Sequence, residues 1–445
     1  MNRLRVLLTN QSLAERGGTE LFLRDIATGL LDRGHAPVAF SPRLGEAAED
    51  LRQCGVPVVD DLAHIGDPPD VIHGHHHLET MAALLHFPTV PALHFCHGWM
   101  AWLETPLVFP RVLRHVAVDE ATRDRIVLEH GVAPERVRTL PNFVDLERFR
   151  PRPPLPASPR RALLMSNFAN EHNYVPPVRE ACRRAGLAFD AIGSGVGNPC
   201  KRPETILGDY DLVFAVGRSA LEALAVGAAV ILVARPGVGP MVSDAALEAL
   251  YAQNLGYRTL TAMWSVEALQ AQIARYDPAD AARVSQRIRA LPGRDGAVDA
   301  LLGWYHEVID AHRAAPPDAG AEVAAVASYV LSLGPRLKAL VTTEHERNMA
   351  YWESARAVEA RDQAQADVRR VTAASDAAQV RLVDAVRRAD AETVDRQHLE
   401  VALARTQRVI DEFERSLAGR VRTGLNRLPG YGATSRLLRS LWASR

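Results

Sequence analysis

The 445-residue sequence predicts two Rossmann-like α/β domains in tandem, followed by a long α-helical coiled-coil extension. Three observations lead there. Short apolar runs alternate with helical patterns, which implies parallel sheets with helices on both faces. A proline-dense stretch, with Pro151, Pro153, Pro154, Pro156 and Pro159, interrupts the alternation midway and reads as a stiff linker. Residues 336–418 contain neither glycine nor proline and are rich in Ala, Glu, Asp, Arg and Gln.

In the first domain, residues 1–150, Arg5 to Thr9 reads as a buried strand. Gly17-Gly18 then opens a helix running to about Leu31, and Pro37 to Ser41 reads as the next strand. Val56 to Val59, Val71 to His73, Pro91 to Cys96 and His115 to Val118 are further strand candidates. The second domain, residues 151–315, repeats the pattern. Its strands are expected at Arg161 to Ser166, Phe189 to Gly193, Leu212 to Val216 and Ala228 to Val233, with helices at Tyr174 to Ala185 and Ser219 to Val226. Two such halves place a ligand cleft between the carboxyl ends of their strands. Residues 316–335 read as a linker, because they open on Pro316-Pro317 and close on Gly334-Pro335.

If continuous, the glycine-free stretch would reach roughly 120 Å at the α-helical rise. Leu399, Leu403, Thr406, Ile410, Phe413 and Leu417 follow a 4-3-4-3-4 spacing, the seam of a coiled coil, and predict a homodimer. The alternative is a solvated single helix or a partly disordered tail. Residues 419–445 form a tail with six arginines, no acidic residue and interleaved Leu and Trp442. Such a tail is expected to touch an anionic membrane surface or an acidic protein.

Charge balance excludes a dedicated nucleic-acid binder: 52 Lys and Arg face 53 Asp and Glu. The four cysteines are scattered and form neither a disulfide framework nor a zinc ribbon. The first apolar run is too short for a signal peptide, and no stretch is expected to reach the ~20 apolar residues of a membrane span. The expected compartment is the cytoplasm, with the inner face of its membrane as the docking surface.

Three motifs carry chemistry. Gly17-Gly18-Thr19-Glu20 lets the backbone approach a phosphate or hydroxyl at a helix N-terminus. Half of the 16 histidines lie between His64 and His97. Adjacent residues such as His75-His76-His77 rarely converge on one ion, so no metal is expected; His73 to His77 reads as a polar loop facing the cleft. His94 and His97 sit at another strand end, where a histidine can contact a sugar hydroxyl, take part in proton transfer, or serve only the loop. The third motif is strand, Gly217, helix, Gly227, strand. Its Glu222 is the sole carboxylate of an apolar helix and needs a partner such as ribose hydroxyls. Arg218 and Ser219, at the helix start, suit a diphosphate.

On "VAVDEATRDRIVLEHGVAPERVRTLPNFVDLERFRP", "DVIHGHH" and "ALEALAVGAAVI", with the Gly17-Gly18 loop, the chain resembles the GT4-type family of GT-B glycosyltransferases over residues 4–312. The resemblance implies a nucleotide-sugar donor as substrate, no cofactor, and a glycan or lipid-linked acceptor in cell-surface polysaccharide synthesis. It implies that Glu222 binds the ribose, Gly17 and Gly18 approach the donor phosphates, and His97 faces the transferred sugar. Two departures stand out. Phe214 occupies the position of a second glutamate, and "SNFANEHNY" replaces an Arg and Lys pair with Asn167 and His172, leaving Arg218, Lys201 or Arg202 to compensate. The alternative is therefore a catalytically degenerate scaffold in a glycan-assembly complex.

Overall fold

The computed structural model describes residues 3–391 and 396–426. The first sheet is built by β1 (Arg5–Thr9), β2 (Ala36–Phe40), β3 (Val58–Val59), β4 (Val71–His75), β5 (Ala92–Cys96), β6 (Val112–Ala117) and β7 (Val137–Thr139). Its helices are α1 (Gly18–Asp32), α2 (Glu46–Gln53), α3 (His77–His86) and α4 (Glu120–Asp124). All seven strands pair in parallel in the order β3-β2-β1-β4-β5-β6-β7. The order reverses between β1 and β4, so the crevice opens beyond Thr9 and His75. Both β4 and β5 are buried along their whole length.

The second sheet contains β8 (Arg161–Met165), β9 (Ala188–Ile192), β10 (Leu212–Ala215), β11 (Ala229–Ala234) and β12 (Gly237–Met241), in the order β12-β11-β10-β8-β9. Only β12 runs antiparallel. The helices here are α5 (Val175–Arg184), α6 (Gly217–Val226), α7 (Leu247–Ala252), α8 (Val266–Ile273) and α9 (Pro278–Arg289). Gly217 adopts φ +60° and turns the chain from β10 into α6, a geometry that a side chain would strain. Between β7 and β8 no helix or strand forms.

The last helix of this half, α10 (Gly293–Ala314), returns to the first sheet. Its Val298, Leu301, Tyr305 and Val308 share one core with Phe22, Ile26, Leu30 and Phe95. Gly29 of α1 makes the approach possible, since a Cβ there would lie 2.6 Å from Val298 Cγ2. Arg33 adds ion pairs to Asp295 and Asp299.

Contrary to the expected linker, α11 starts within 316–335 and runs from Ala319 through Pro335 to Ala391. Pro335 removes the bond to the Leu331 carbonyl, but both residues are exposed and water can serve that oxygen. The early turns are anchored by Glu322 on Arg111, a 1 % exposed side chain that also donates to the carbonyls of Leu84, Phe87 and Val90. Val323, Val326, Val330, Leu333, Leu337 and Leu340 repeat at 3-4-3-4-3, a seam hidden from sequence reading by the Gly-Pro break. This helix also corrects the hydropathy expectation. It contains a window long and apolar enough, by length and composition alone, to cross a membrane, and none of that window is buried.

Residues from Tyr329 onward form a separate compact unit. Its second helix is α12 (Arg396–Asn426), on which Leu403 and Phe413 of the predicted seam are exposed. The side chain of Leu417 and the basic tail, 419–445, lie outside the side chains described.

The fold makes one stability prediction. Leu301→Ala should destabilise the first lobe by about 2–5 kcal/mol, as a large-to-small change in a packed core does. Denaturant unfolding checks it; a loss within experimental error would mean that α10 does not complete that core.

Candidate active site

Helices α1 and α6 meet across the cleft between the two sheets. Arg218, in the first turn of α6, donates from Nε to Glu222 Oε1 at 2.9 Å and from Nη2 to Asp25 on α1. All three side chains are less than 10 % exposed. Arg24 also pairs with Asp25, at 2.9 Å, and Arg148 lies 4.0 Å from it. Arg148 reaches Glu204 at 3.5 Å. Arg202 pairs with Glu204 as well, at 3.3 Å, so four cations face three carboxylates.

Burial acts to raise the Asp25 pKa, but Arg218 and Arg24 outweigh it and hold the carboxyl below its ordinary value. For Glu222 burial prevails over Arg218, and its pKa is raised. Glu222 is therefore the more easily protonated member. Burial likewise acts against the Arg218 charge, but its two carboxylate partners hold the guanidinium protonated.

Sequence reading assigned Glu222 a ribose and Arg218 a diphosphate. In the structure Glu222 accepts from Arg218, and Arg218 bonds two carboxylates. Asp25 escaped that reading because one Asp on an amphipathic helix carries no periodic signal. Phe214 is a fully buried core residue of β10. Ser219 is half-buried beside Arg218.

The other predicted contacts lie at the rim. Lys201 pairs with Glu46 of α2, and its carbonyl accepts from Arg16 at 3.3 Å. Asn167 is exposed, and its Oδ1 accepts from the Ser194 N–H at 3.2 Å, which shapes the loop after β8. Gly18 starts α1, and Gly17 sits against Glu20: a Cβ on Gly17 would meet Glu20 Oε2 at 2.3 Å. Burial raises the Glu20 pKa.

The histidines are not a polar loop. His73 and His75 lie within β4, fully buried, because the alternating strand pattern points them into the space beneath α1 and α10. Their rings stack at 4.5 Å, and His75 stacks on His97 at 4.8 Å. His75 Nδ1 lies 2.7 Å from His97 Nε2, and His73 Nδ1 lies 2.5 Å from the Tyr305 hydroxyl. His94 does not face the cleft: it is 0 % exposed, against His115.

His97, just past β5, remains partly accessible, with Phe22 edge-on at 4.9 Å. Its backbone N–H donates to Glu104 Oε2 at 2.8 Å, and Glu104 Oε1 lies 3.3 Å from His76 Nε2. His76 takes φ +63°, unusual outside glycine, which turns the chain from β4 into α3. Glu104, a second residue missed in the sequence, ends a single 3-10 turn, Trp102–Glu104, with no motif around it. Burial lowers the His97 pKa to about 4; Glu104 opposes the shift, and the nearby Arg218 charge adds to it. Phe22, edge-on to His97, lies about one turn before Asp25 on α1, so His97 is close to the buried ion pairs. Among the described residues no group of three or more His, Cys, Asp and Glu is arranged to hold a metal ion.

Two Rossmann-like lobes, crossed by a C-terminal helix and facing each other over such a cleft, define the GT-B glycosyltransferase fold. Residues 16–148 match the family model described as Glycosyltransferase Family 4. The chain is similar in structure to a glycosyltransferase from Rickettsia africae, at 13 % identity and TM-score 0.52, covering 69 % of this chain and 99 % of that one. It is also similar to HepE of Anabaena, crystallised with UDP and glucose, at 14 % identity and TM-score 0.49, covering 68 % and 99 %. None of the curated proteins matches the sequence. The first of these structures supports the fold; the family model supports a glycosyltransferase domain.

Two predictions follow from this geometry. Asp25→Ala and Arg218→Ala should each destabilise the chain. Their double-mutant cycle should return a coupling of about 1–3 kcal/mol, as for groups in one buried network; additive effects would deny the bridge across the cleft. Acid should also weaken the fold early. His97, His77 and His115 have pKa values lowered to about 4, and His73 to about 3, burial being the largest cause in each. The unfolded chain takes up these protons first, near its ordinary value of about 6.5. Stability is full above that pH and falls as pH drops from about 6.5 towards 4. Unfolding titrations that stay flat across that window would contradict the histidine burial.

Proposed function

We propose that the chain transfers a sugar from a nucleotide-sugar donor to a glycan or lipid-linked acceptor, in the making of a cell-surface polysaccharide. The observation that carries this reading is Glu222, a carboxylate buried in α6 and bonded to Arg218, which in turn reaches Asp25 across the cleft. The N-terminus of α6 has no side-chain cap; the Gly217 N–H donates to the Leu255 carbonyl at 2.9 Å, and the helix dipole and the N–H groups after it favour a diphosphate. A transferase of this kind works by orienting the donor and stabilising the departing diphosphate, and needs no covalent nucleophile.

On this reading Arg218 exchanges partners when the donor arrives: the diphosphate replaces carboxylate, and the ribose hydroxyls take up Glu222. Lys201 and Asn167, at the rim, and the Gly17-Gly18 loop complete the donor contacts. Facing the sugar, His97 is neutral at physiological pH.

A second reading, a catalytically degenerate scaffold, is favoured by two specific features. Phe214 lies in the core, and Arg218 is already neutralised by two acids. The helical extension is proposed to pair with a second copy of the chain in either case.

A thermal-shift and hydrolysis panel of UDP-, GDP-, dTDP- and CMP-sugars separates the readings. A transferase gains stability with one donor and slowly hydrolyses it; a scaffold does neither. Glu222→Gln should weaken binding of that donor by about 10- to 100-fold, as loss of a hydrogen bond to a charged group does. Unchanged affinity would remove Glu222 from the site. Leu403→Asp with Ile410→Asp should convert a dimer into a monomer by light scattering; an already monomeric parent would end the pairing proposal.

A further inference from the structure

The His75 ring lies inside the first lobe, between His73 and His97, with Phe22 edge-on at 5.8 Å. Its two nitrogens have different fates. Nδ1 meets His97 Nε2 at 2.7 Å, whereas Nε2 is buried and has no hydrogen-bond partner. Two neutral imidazoles at that separation share one proton, so two arrangements exist.

In the first, His75 carries its proton on Nδ1 and donates it to His97 Nε2. The buried Nε2 of His75 is then a bare lone pair, and His97 must carry its own proton on Nδ1. In the second, His97 donates from Nε2. His75 must then hold its proton on Nε2, as a buried N–H with no acceptor, and His97 Nδ1 is a bare lone pair.

The two arrangements differ in what they leave unpaired. An orphaned buried N–H is rarer than an under-satisfied acceptor. The aromatic rings around His75 offer at most a weak π contact, a second-order compensation. The first arrangement is the less costly.

We propose that His75 is a positioning residue that fixes His97 in the Nδ1–H tautomer, so that His97 offers the transferred sugar an N–H donor rather than a proton-accepting lone pair. This rests on the reading above that His97 faces the sugar. It gives a buried strand histidine, which touches no ligand, control over what the cleft histidine can do. In its neutral form His97 then binds a sugar oxygen as a donor and does not take the acceptor's proton.

Neutron diffraction from crystals of the full chain, exchanged into heavy water near neutral pH, tests the tautomers directly. Deuterons are expected on His75 Nδ1 and His97 Nδ1, with none on His75 Nε2. A deuteron on His75 Nε2, with His97 Nδ1 bare, would overturn the proposal. In solution, nitrogen-15 NMR of labelled histidines reads the same property, with the His97 signals identified by their loss in His97→Gln. His75→Phe keeps a ring in the stack but has no donor, and should move His97 towards the Nε2–H form. An unchanged His97 tautomer in the folded variant would refute the positioning role; if that variant does not fold, the parent's tautomers decide. Neither readout depends on activity or donor binding, so a failed sugar transfer and a wrong tautomer are told apart.

Discussion

Arg218 stands between two carboxylates that belong to different lobes, and the cleft is organised around that bridge. Charge this deeply buried is costly unless it is paired, and the pairing must come from both sides. Asp25 reaches it from α1 of the first lobe, and Glu222 from the turn above it on α6. The positions of both helices follow. Helix α6 begins where Gly217 turns the chain out of β10, and α1 is pressed against the sheet by α10 through Gly29. Removing the bridge would leave uncompensated charges facing each other across the lobes.

The same bridge bears on ligand choice. Arg24, Arg148, Arg202 and Arg218 face Asp25, Glu204 and Glu222. A diphosphate brings more negative charge than the one excess cation of this set offsets, so it must displace a carboxylate from Arg218 or be accompanied by a proton. Glu222, whose pKa burial raises, is the group best suited to accept one. The histidines opposite contribute no charge near neutral pH, because burial keeps them deprotonated. The cleft therefore has a charged seam shared by α1 and α6, and a neutral, hydrogen-bonding side at His73 and His97 of the first lobe.

Much of this architecture was legible in the sequence. Alternating apolar runs marked most strands of the first sheet and four of the five in the second, because buried parallel strands leave continuous apolar segments. The antiparallel β12, Gly237–Met241, was missed, since two glycines and a proline in five residues do not read as a strand. The return of α10 to the first lobe was equally hidden: an amphipathic helix shows which face it buries and not against which sheet. Glu222 and Arg218 stood out as charges among apolar residues. Asp25 and Glu104, which complete their surroundings, come from elements distant in sequence and have no local signature. The histidine run misled for the opposite reason. Polar residues in a row suggest a loop, whereas His73 and His75 occupy alternate positions of a strand, their rings stacked and His73 Nδ1 bonded to the Tyr305 hydroxyl.

The central claim is that the cleft beside Glu222 receives a nucleotide-sugar. Saturation-transfer NMR on the intact chain, with each of the four nucleotide-sugar types in turn, tests it most directly. The account predicts that one donor receives saturation, strongest on its ribose protons, and that the matching free nucleotide competes it away. No transfer to any of the four, or transfer that the free nucleotide leaves untouched, would contradict it.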